Sequence, residues 1–127
     1  MSTTISATGE LSQLLQQMIQ AYQKYKEAPK HSGMKGVERA LEFGQSSKFC
    51  SLACQIAWGG KNKGDPQKHV KYMECYWTCK HLVGRVELPL AESLQEFINY
   101  LQQSGAPEAQ KVINAIQQAL SGAGGGA

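Results

Sequence analysis

The four cysteines of this chain form two pairs with the same spacing, Cys50–Cys54 and Cys75–Cys79, and the chain has no other cysteine. In an α-helix, residues four positions apart lie about 40° apart around the axis, so each C-x3-C pair places both sulfurs on one face. A helical hairpin would bring all four sulfurs into one small volume. The pattern therefore predicts two helices that meet at the cysteines.

Apolar residues recur at helical spacing along most of the chain, and nothing alternates with strand spacing over a useful length. Thr8 is the expected N-cap of the first helix, Gly59 and Gly60 end the second, and Pro66 opens the third. Helices are predicted over about residues 9–28, 35–58, 66–87, 90–104 and 107–121.

We therefore predict an all-α protein, a small bundle of about four to five helices with a central hairpin that carries the C-x3-C pairs. At 127 residues the chain is long enough for one domain with a proper core. We assign residues 10–121 to that domain, residues 1–9 to an N-terminal tail, and residues 122–127 to a disordered glycine-rich tail.

The second predicted helix is apolar on two sides, which is typical of a central helix packed between neighbours. One side carries small residues, among them Ala40, Cys50, Cys54 and Ala57, and the other carries larger ones such as Phe49. Small side chains let another helix approach closely. The third helix is the natural neighbour, so the cysteine pairs should face each other.

Three states of the cysteines are compatible with this arrangement. Four free thiols can serve as small buried apolar residues. A disulfide within one C-x3-C pair would strain a helix, whereas the nested bonds Cys50–Cys79 and Cys54–Cys75 fit an antiparallel hairpin. Four converging thiolates could instead bind zinc, an iron–sulfur cluster or Cu(I). The histidines His31, His69 and His81 do not share the cysteine face, so a mixed Cys/His site is not expected.

The twin C-x3-C pattern resembles that of the small mitochondrial intermembrane-space chaperones. The resemblance is carried by Cys50, Cys54, Cys75 and Cys79 alone, and it implies a helical hairpin stapled by nested disulfides. This chain has a longer spacing between its two pairs than that family, and it has additional predicted helices on both sides of the hairpin.

Composition and motifs give no support for catalysis or for nucleic-acid binding. The net charge of +3 is too small and too dispersed for a nucleic-acid binder. The chain has no glycine-rich phosphate loop and no H-E-x-x-H motif. Redox-active thiols usually belong to C-x-x-C at a helix N-terminus, whereas these cysteine pairs lie in the middle of helices.

The function that we predict is therefore non-enzymatic: binding of a protein partner, or self-assembly. Trp58 is the expected interface aromatic because it stands at the end of a helix, and tryptophan is enriched at contact hot spots. The basic residues Lys61, Lys63, Lys68 and Lys71 could meet a phosphate or an acidic partner, or they could simply belong to a solvated loop. Two alternatives remain open at this point, a four-cysteine metal- or cluster-binding protein and a thiol redox sensor.

The first eleven residues are polar and contain neither a basic n-region nor an apolar h-region, so we expect no secretory signal. No apolar run reaches the length of a membrane span. The cytoplasm is the default location, and an oxidising compartment entered without a cleaved signal is the alternative, because disulfides rarely persist in a reducing cytosol.

Overall fold

A computed structural model describes residues 6–27, 33–59, 65–83 and 89–122, with the side chains of residues 33–44 outside the description. These ranges form five α-helices and contain no strand, which confirms the predicted all-α class. The helices are α1 (Ala7–Glu27), α2 (Gly33–Ala57), α3 (Pro66–Val83), α4 (Leu90–Ser104) and α5 (Ala109–Gly122). In the ranges described, no helix combines the length and the apolar character that crossing a bilayer requires.

Capping side chains explain where two of the helices begin. The backbone N–H of Gly9 donates to Ser6 Oγ at 3.1 Å, so Ser6 caps α1 and Thr8 lies inside its first turn. The prediction of Thr8 as the N-cap was wrong. At α3, Asp65 Oδ1 accepts a hydrogen bond from the backbone N–H of Gln67 at 3.0 Å. Pro66 follows as the first helical residue, as predicted.

Glycines in the left-handed conformation end α2 and α4. Gly59 and Gly105 both have φ near +78°, a backbone conformation that side-chain-bearing residues rarely adopt. The predicted ends of these two helices are therefore confirmed to within a residue. α2 begins at Gly33, two residues before its predicted start. α3 ends at Val83 in the described ranges, and its predicted continuation to about residue 87 lies outside the described residues.

α2 lies at the centre of the bundle. It packs against α1, α3 and α5, with its most extensive contact on α1. α3 packs on α2 and α4, and α5 packs on α1, α2 and α4. A helix with three helical neighbours must be apolar on more than one side, which explains the two apolar faces of α2.

One continuous core joins all five helices. Phe49 on α2 and Phe97 on α4 lie at its middle, both 0% exposed, with ring centroids 5.8 Å apart in an edge-to-face arrangement. The other large side chains that are fully buried among the described residues are Leu11, Leu15, Met18, Cys50, Leu90, Leu94, Ile98, Leu101, Val112 and Ile116.

Replacement of Phe97 by alanine tests this description of the core. Phe97→Ala removes a fully buried ring that also contacts Phe49 and Tyr100. We expect the free energy of unfolding to fall by about 3–5 kcal/mol, because the core cannot collapse into the space left. Urea denaturation followed by circular dichroism measures the loss. The exposed substitution Gln102→Ala is the control, and an equal effect of the two substitutions would contradict the described core.

Candidate functional site

Two disulfides join α2 to α3. Cys50 bonds to Cys79 and Cys54 bonds to Cys75, with Cα–Cα distances of 5.6 Å and 5.7 Å. The outer bond thus encloses the inner one, as in an antiparallel hairpin. All four cysteines are 0% exposed. The pairing is the nested one considered from the sequence, and burial of the sulfurs keeps them away from external thiols.

Polar side chains also connect the two helices. The hydroxyls of Ser51 and Tyr72 share a hydrogen bond of 2.9 Å, and Lys80 Nζ donates to Ser47 Oγ at 2.7 Å. Partial burial of the Lys80 ammonium lowers its pKa below the ordinary value. Tyr72 is buried, so the hydroxyl of Ser51 supplies the hydrogen-bond partner that this phenol needs.

The disulfides determine what the cysteines can do chemically. A sulfur in a disulfide is no longer a thiolate, which is the form that binds metals and attacks electrophiles. Among the described residues, no group of three or more His, Cys, Asp and Glu side chains is placed to hold a metal ion. His69 and His81 are exposed, and His31 lies outside the described residues. A four-cysteine metal site would therefore require the reduced protein.

A groove opens beside the end of this hairpin. Its volume is about 590 Å³, and it lies between the end of α2, the start of α3 and the turn before α5. The residues that line it are Trp58, Asp65, Pro66, Gln67, Lys68, Val70, Lys71 and Pro107. A groove of this size falls within the range of known ligand pockets.

Local contacts explain why these three segments meet. Trp58 follows α2 one turn after Cys54, and Lys71 lies one turn before Cys75, so the inner disulfide joins the two helices next to the groove. On the third side, the backbone N–H of Glu108 donates to the carbonyl oxygen of Ala57 at 3.0 Å. This bond draws the start of α5, with its preceding proline, against the end of α2.

The groove combines apolar walls with a basic rim. Trp58, Pro66, Val70 and Pro107 supply apolar surface, and Val70 is 61% exposed. Lys68 and Lys71 are exposed on the rim, and neither forms an ion pair with another described residue. The carboxylate of Asp65 caps α3 through Gln67 and Lys68. These groups suit an apolar ligand that also carries negative charge.

The structure brings together three of the five residues predicted for interaction. Trp58, Lys68 and Lys71 line the same groove, while Lys61 and Lys63 lie outside the described residues. The sequence-based reasoning missed Val70 and Pro107. Val70 could have been recognised from the sequence, because it is an apolar residue on the side of α3 away from the cysteines. Pro107 had none, because only the folded bundle places it near Trp58.

Trp58 contains a buried donor for which the described residues supply no acceptor. Its indole Nε1 is shielded from solvent, and no hydrogen-bond acceptor for it is found in the described part of the chain. A buried N–H without a partner costs about 1–3 kcal/mol. Among the described residues, nothing offsets the burial of this N–H group, a cost that phenylalanine at this position would not carry.

The paired substitution Cys54→Ala with Cys75→Ala tests the stabilising role of the inner disulfide. We expect the free energy of unfolding to fall by about 2 kcal/mol, because the unfolded chain loses one of its two cross-links while the retained Cys50–Cys79 bond still closes the hairpin. Losing the outer pair alone should cost slightly more, because the inner bond that remains closes the shorter loop, with a sequence separation of 21 residues against 29. Urea denaturation of the variants measures both losses, and unchanged stability would contradict this role.

Mass spectrometry of unreduced protein tests the pairing itself. The intact mass should be lower than that of the reduced chain by four hydrogen atoms, with no thiol open to alkylation after denaturation. Trypsin cannot separate the cysteines of one pair, because neither C-x3-C contains Lys or Arg. Chymotrypsin can cleave after Leu52 and Tyr76, and it should yield linked peptides containing Cys50 with Cys79. A Cys50–Cys75 linkage would contradict the nested arrangement.

Trp58→Phe tests the buried indole donor. The substitution removes the N–H that has no described acceptor, which is favourable, and part of the ring, which costs packing, so we expect the stability to change by less than about 1 kcal/mol. Trp58→Ala, in contrast, should cost about 2–3 kcal/mol through lost packing of a half-buried ring. Thermal and urea denaturation of both variants provide the comparison. Equal losses would mean that the indole nitrogen has a hydrogen-bond partner.

Comparison with other proteins returned no match, whether to a family model, a curated protein or a solved structure. The resemblance to the intermembrane-space chaperones therefore remains one of cysteine pattern alone. A small helical protein with two disulfides between neighbouring helices is what the fold and the site establish.

Proposed function

We propose that this protein is a non-enzymatic interaction module of an oxidising compartment. Its disulfide-linked hairpin presents the groove at Trp58 to a segment of another protein that carries apolar and acidic side chains. The observation that carries the proposal is the composition of the groove, with four apolar residues on its walls and two lysines on its rim. Groups of this kind bind a ligand, and they do not make a nucleophile with an adjacent base.

The lysines support an acidic partner. Lys68 and Lys71 are exposed beside apolar surface, and the nearest carboxylate on the groove, that of Asp65, is engaged in capping α3. Opposite charge on a partner would speed its approach and select the register in which it binds. The apolar walls would supply most of the affinity through burial from water.

The disulfides support an oxidising location. Disulfides form and persist in oxidising compartments and are rare in the cytosol. Both bonds lie in the core of the hairpin, and the segments that line the groove extend from the two helices they join. Of the two locations expected from the sequence, we therefore propose the oxidising one.

Selection from a random peptide display library tests this function without knowledge of the partner. The oxidised protein is immobilised, and bound peptides are sequenced and remade for affinity measurement by calorimetry. We expect the selected peptides to contain apolar and acidic residues. Val70→Asp should lower their affinity at least tenfold, because it places a charge on the groove wall. The matched control Gln23→Asp adds the same charge to the exposed face of α1.

Two results would contradict the proposal. A library that yields no peptide sensitive to Val70→Asp would remove the groove as a binding site. Sedimentation of the wild-type protein as a dimer that Val70→Asp converts to a monomer would replace the partner protein with a second copy of this chain.

Thiol redox sensing is a second candidate function, favoured by the position of the Cys54–Cys75 bond one turn from both walls of the groove. A dithiol reductant that reaches the buried sulfurs when the hairpin opens locally would convert each disulfide to two thiols and become oxidised itself. A sensor should lose peptide affinity at least tenfold on reduction and regain it on reoxidation. Full affinity in the reduced state would exclude this function and leave the interaction module.

A further inference from the structure

The outer face of α3 carries two large apolar residues that face solvent. Val70 is 61% exposed and Trp77 is 63% exposed. They are seven positions apart in the sequence, so they stand on the same side of the helix about 10 Å apart. Cys75 and Cys79 occupy the opposite, buried side of α3. This apolar stripe begins at the groove, because Val70 belongs to both.

The ring of Trp77 belongs to a series of aromatic side chains on α3 that pack against one another. Its ring centroid lies 5.4 Å from that of Tyr76, and Tyr76 lies 6.3 Å from Tyr72 in an edge-to-face arrangement. Tyr72 is anchored in turn by its hydrogen bond with Ser51 on α2. An exposed tryptophan with packed neighbours loses little conformational freedom when a partner covers it.

Charged side chains of both signs lie near this stripe. Lys68 and Lys71 are exposed at its groove end. Glu74, the one acidic residue of α3, lies close enough to Tyr100 on α4 to help raise the pKa of that phenol, after the larger effect of burial. The positive charge therefore lies at the groove end of the stripe, whereas the exposed carboxylate of Glu74 lies one turn from both Val70 and Trp77.

We propose that the partner segment is an acidic amphipathic helix that lies along α3. Its apolar side covers Val70 and Trp77, one apolar side chain enters the groove at Trp58, and its acidic residues face Lys68 and Lys71. This inference rests on the proposed function and specifies the partner of the same groove.

A helical partner fits this surface better than an extended one. Positions seven apart on α3 meet positions seven apart on a second helix that crosses at a small angle. An extended peptide that binds by strand addition instead needs an exposed sheet edge, and the described residues contain no strand. A concave groove next to the stripe also suits an inserted side chain better than the flat surface of a lipid bilayer.

The peptides selected from the display library provide the test. We expect apolar residues at positions i and i+7 with acidic residues between or beside them, and a gain of helical circular dichroism on binding. Trp77→Ala should weaken binding at least tenfold, and Trp77→Phe should restore most of the loss. The double reversal Lys68→Glu with Lys71→Glu should weaken binding by a similar factor, compared with Lys24→Glu with Lys48→Glu as the charge-matched control.

The outcomes separate this inference from the function on which it rests. Peptides that depend on Val70 but not on Trp77, or that bind without becoming helical, would overturn the helical partner and leave the groove as a binding site. No groove-dependent peptide at all would overturn both. Binding to vesicles of anionic phospholipid that is lost in Trp77→Ala, without any peptide binding, would replace the protein partner with a membrane surface.

Discussion

The covalent connection between α2 and α3 is the constraint on which the rest of this structure depends. α3 buries only four residues, Tyr72, Cys75, Cys79 and Val83, and two of them are the cysteines. α4 and α5 instead attach to the core through leucine, isoleucine, valine and phenylalanine. A helix that contributes so little apolar surface would be weakly held by packing alone, so the disulfides take the place of a larger hydrophobic contact.

This mode of attachment explains why α3 can carry functional surface. A helix held by packing must direct its large apolar residues inward, whereas α3 leaves Val70 and Trp77 facing solvent. The same attachment fixes the start of α3 relative to Trp58, and the hydrogen bond from Glu108 to Ala57 fixes the third side of the groove. The groove and the exposed stripe thus follow from one structural arrangement.

Local patterns in the sequence were sufficient to predict the hairpin and the positions of several helix ends. The C-x3-C spacing identified the facing sides of α2 and α3, and Pro66, Gly59 and Gly105 act through backbone conformations that depend little on context. The cap of α1 was missed because Ser6 and Thr8 are both good caps, and the choice depends on where the first turn forms.

Other features could not follow from the pattern. The cysteine spacing determines where the four sulfurs lie but not their oxidation state, so it could not distinguish disulfides from thiolate ligands of a metal. Trp58, Lys68 and Lys71 could be predicted together because they flank one turn, whereas Pro107 joins them through a contact between distant parts of the chain.

Chemical-shift mapping of backbone amides by NMR, with a library-selected peptide added to the oxidised protein, tests the central claim most directly. The account predicts that the largest shifts fall on Trp58, on residues 65–77 and around the turn at Pro107. Shifts confined instead to the glutamine-rich faces of α1 and α5 would contradict it, because the peptide would then bind away from the disulfide-linked hairpin.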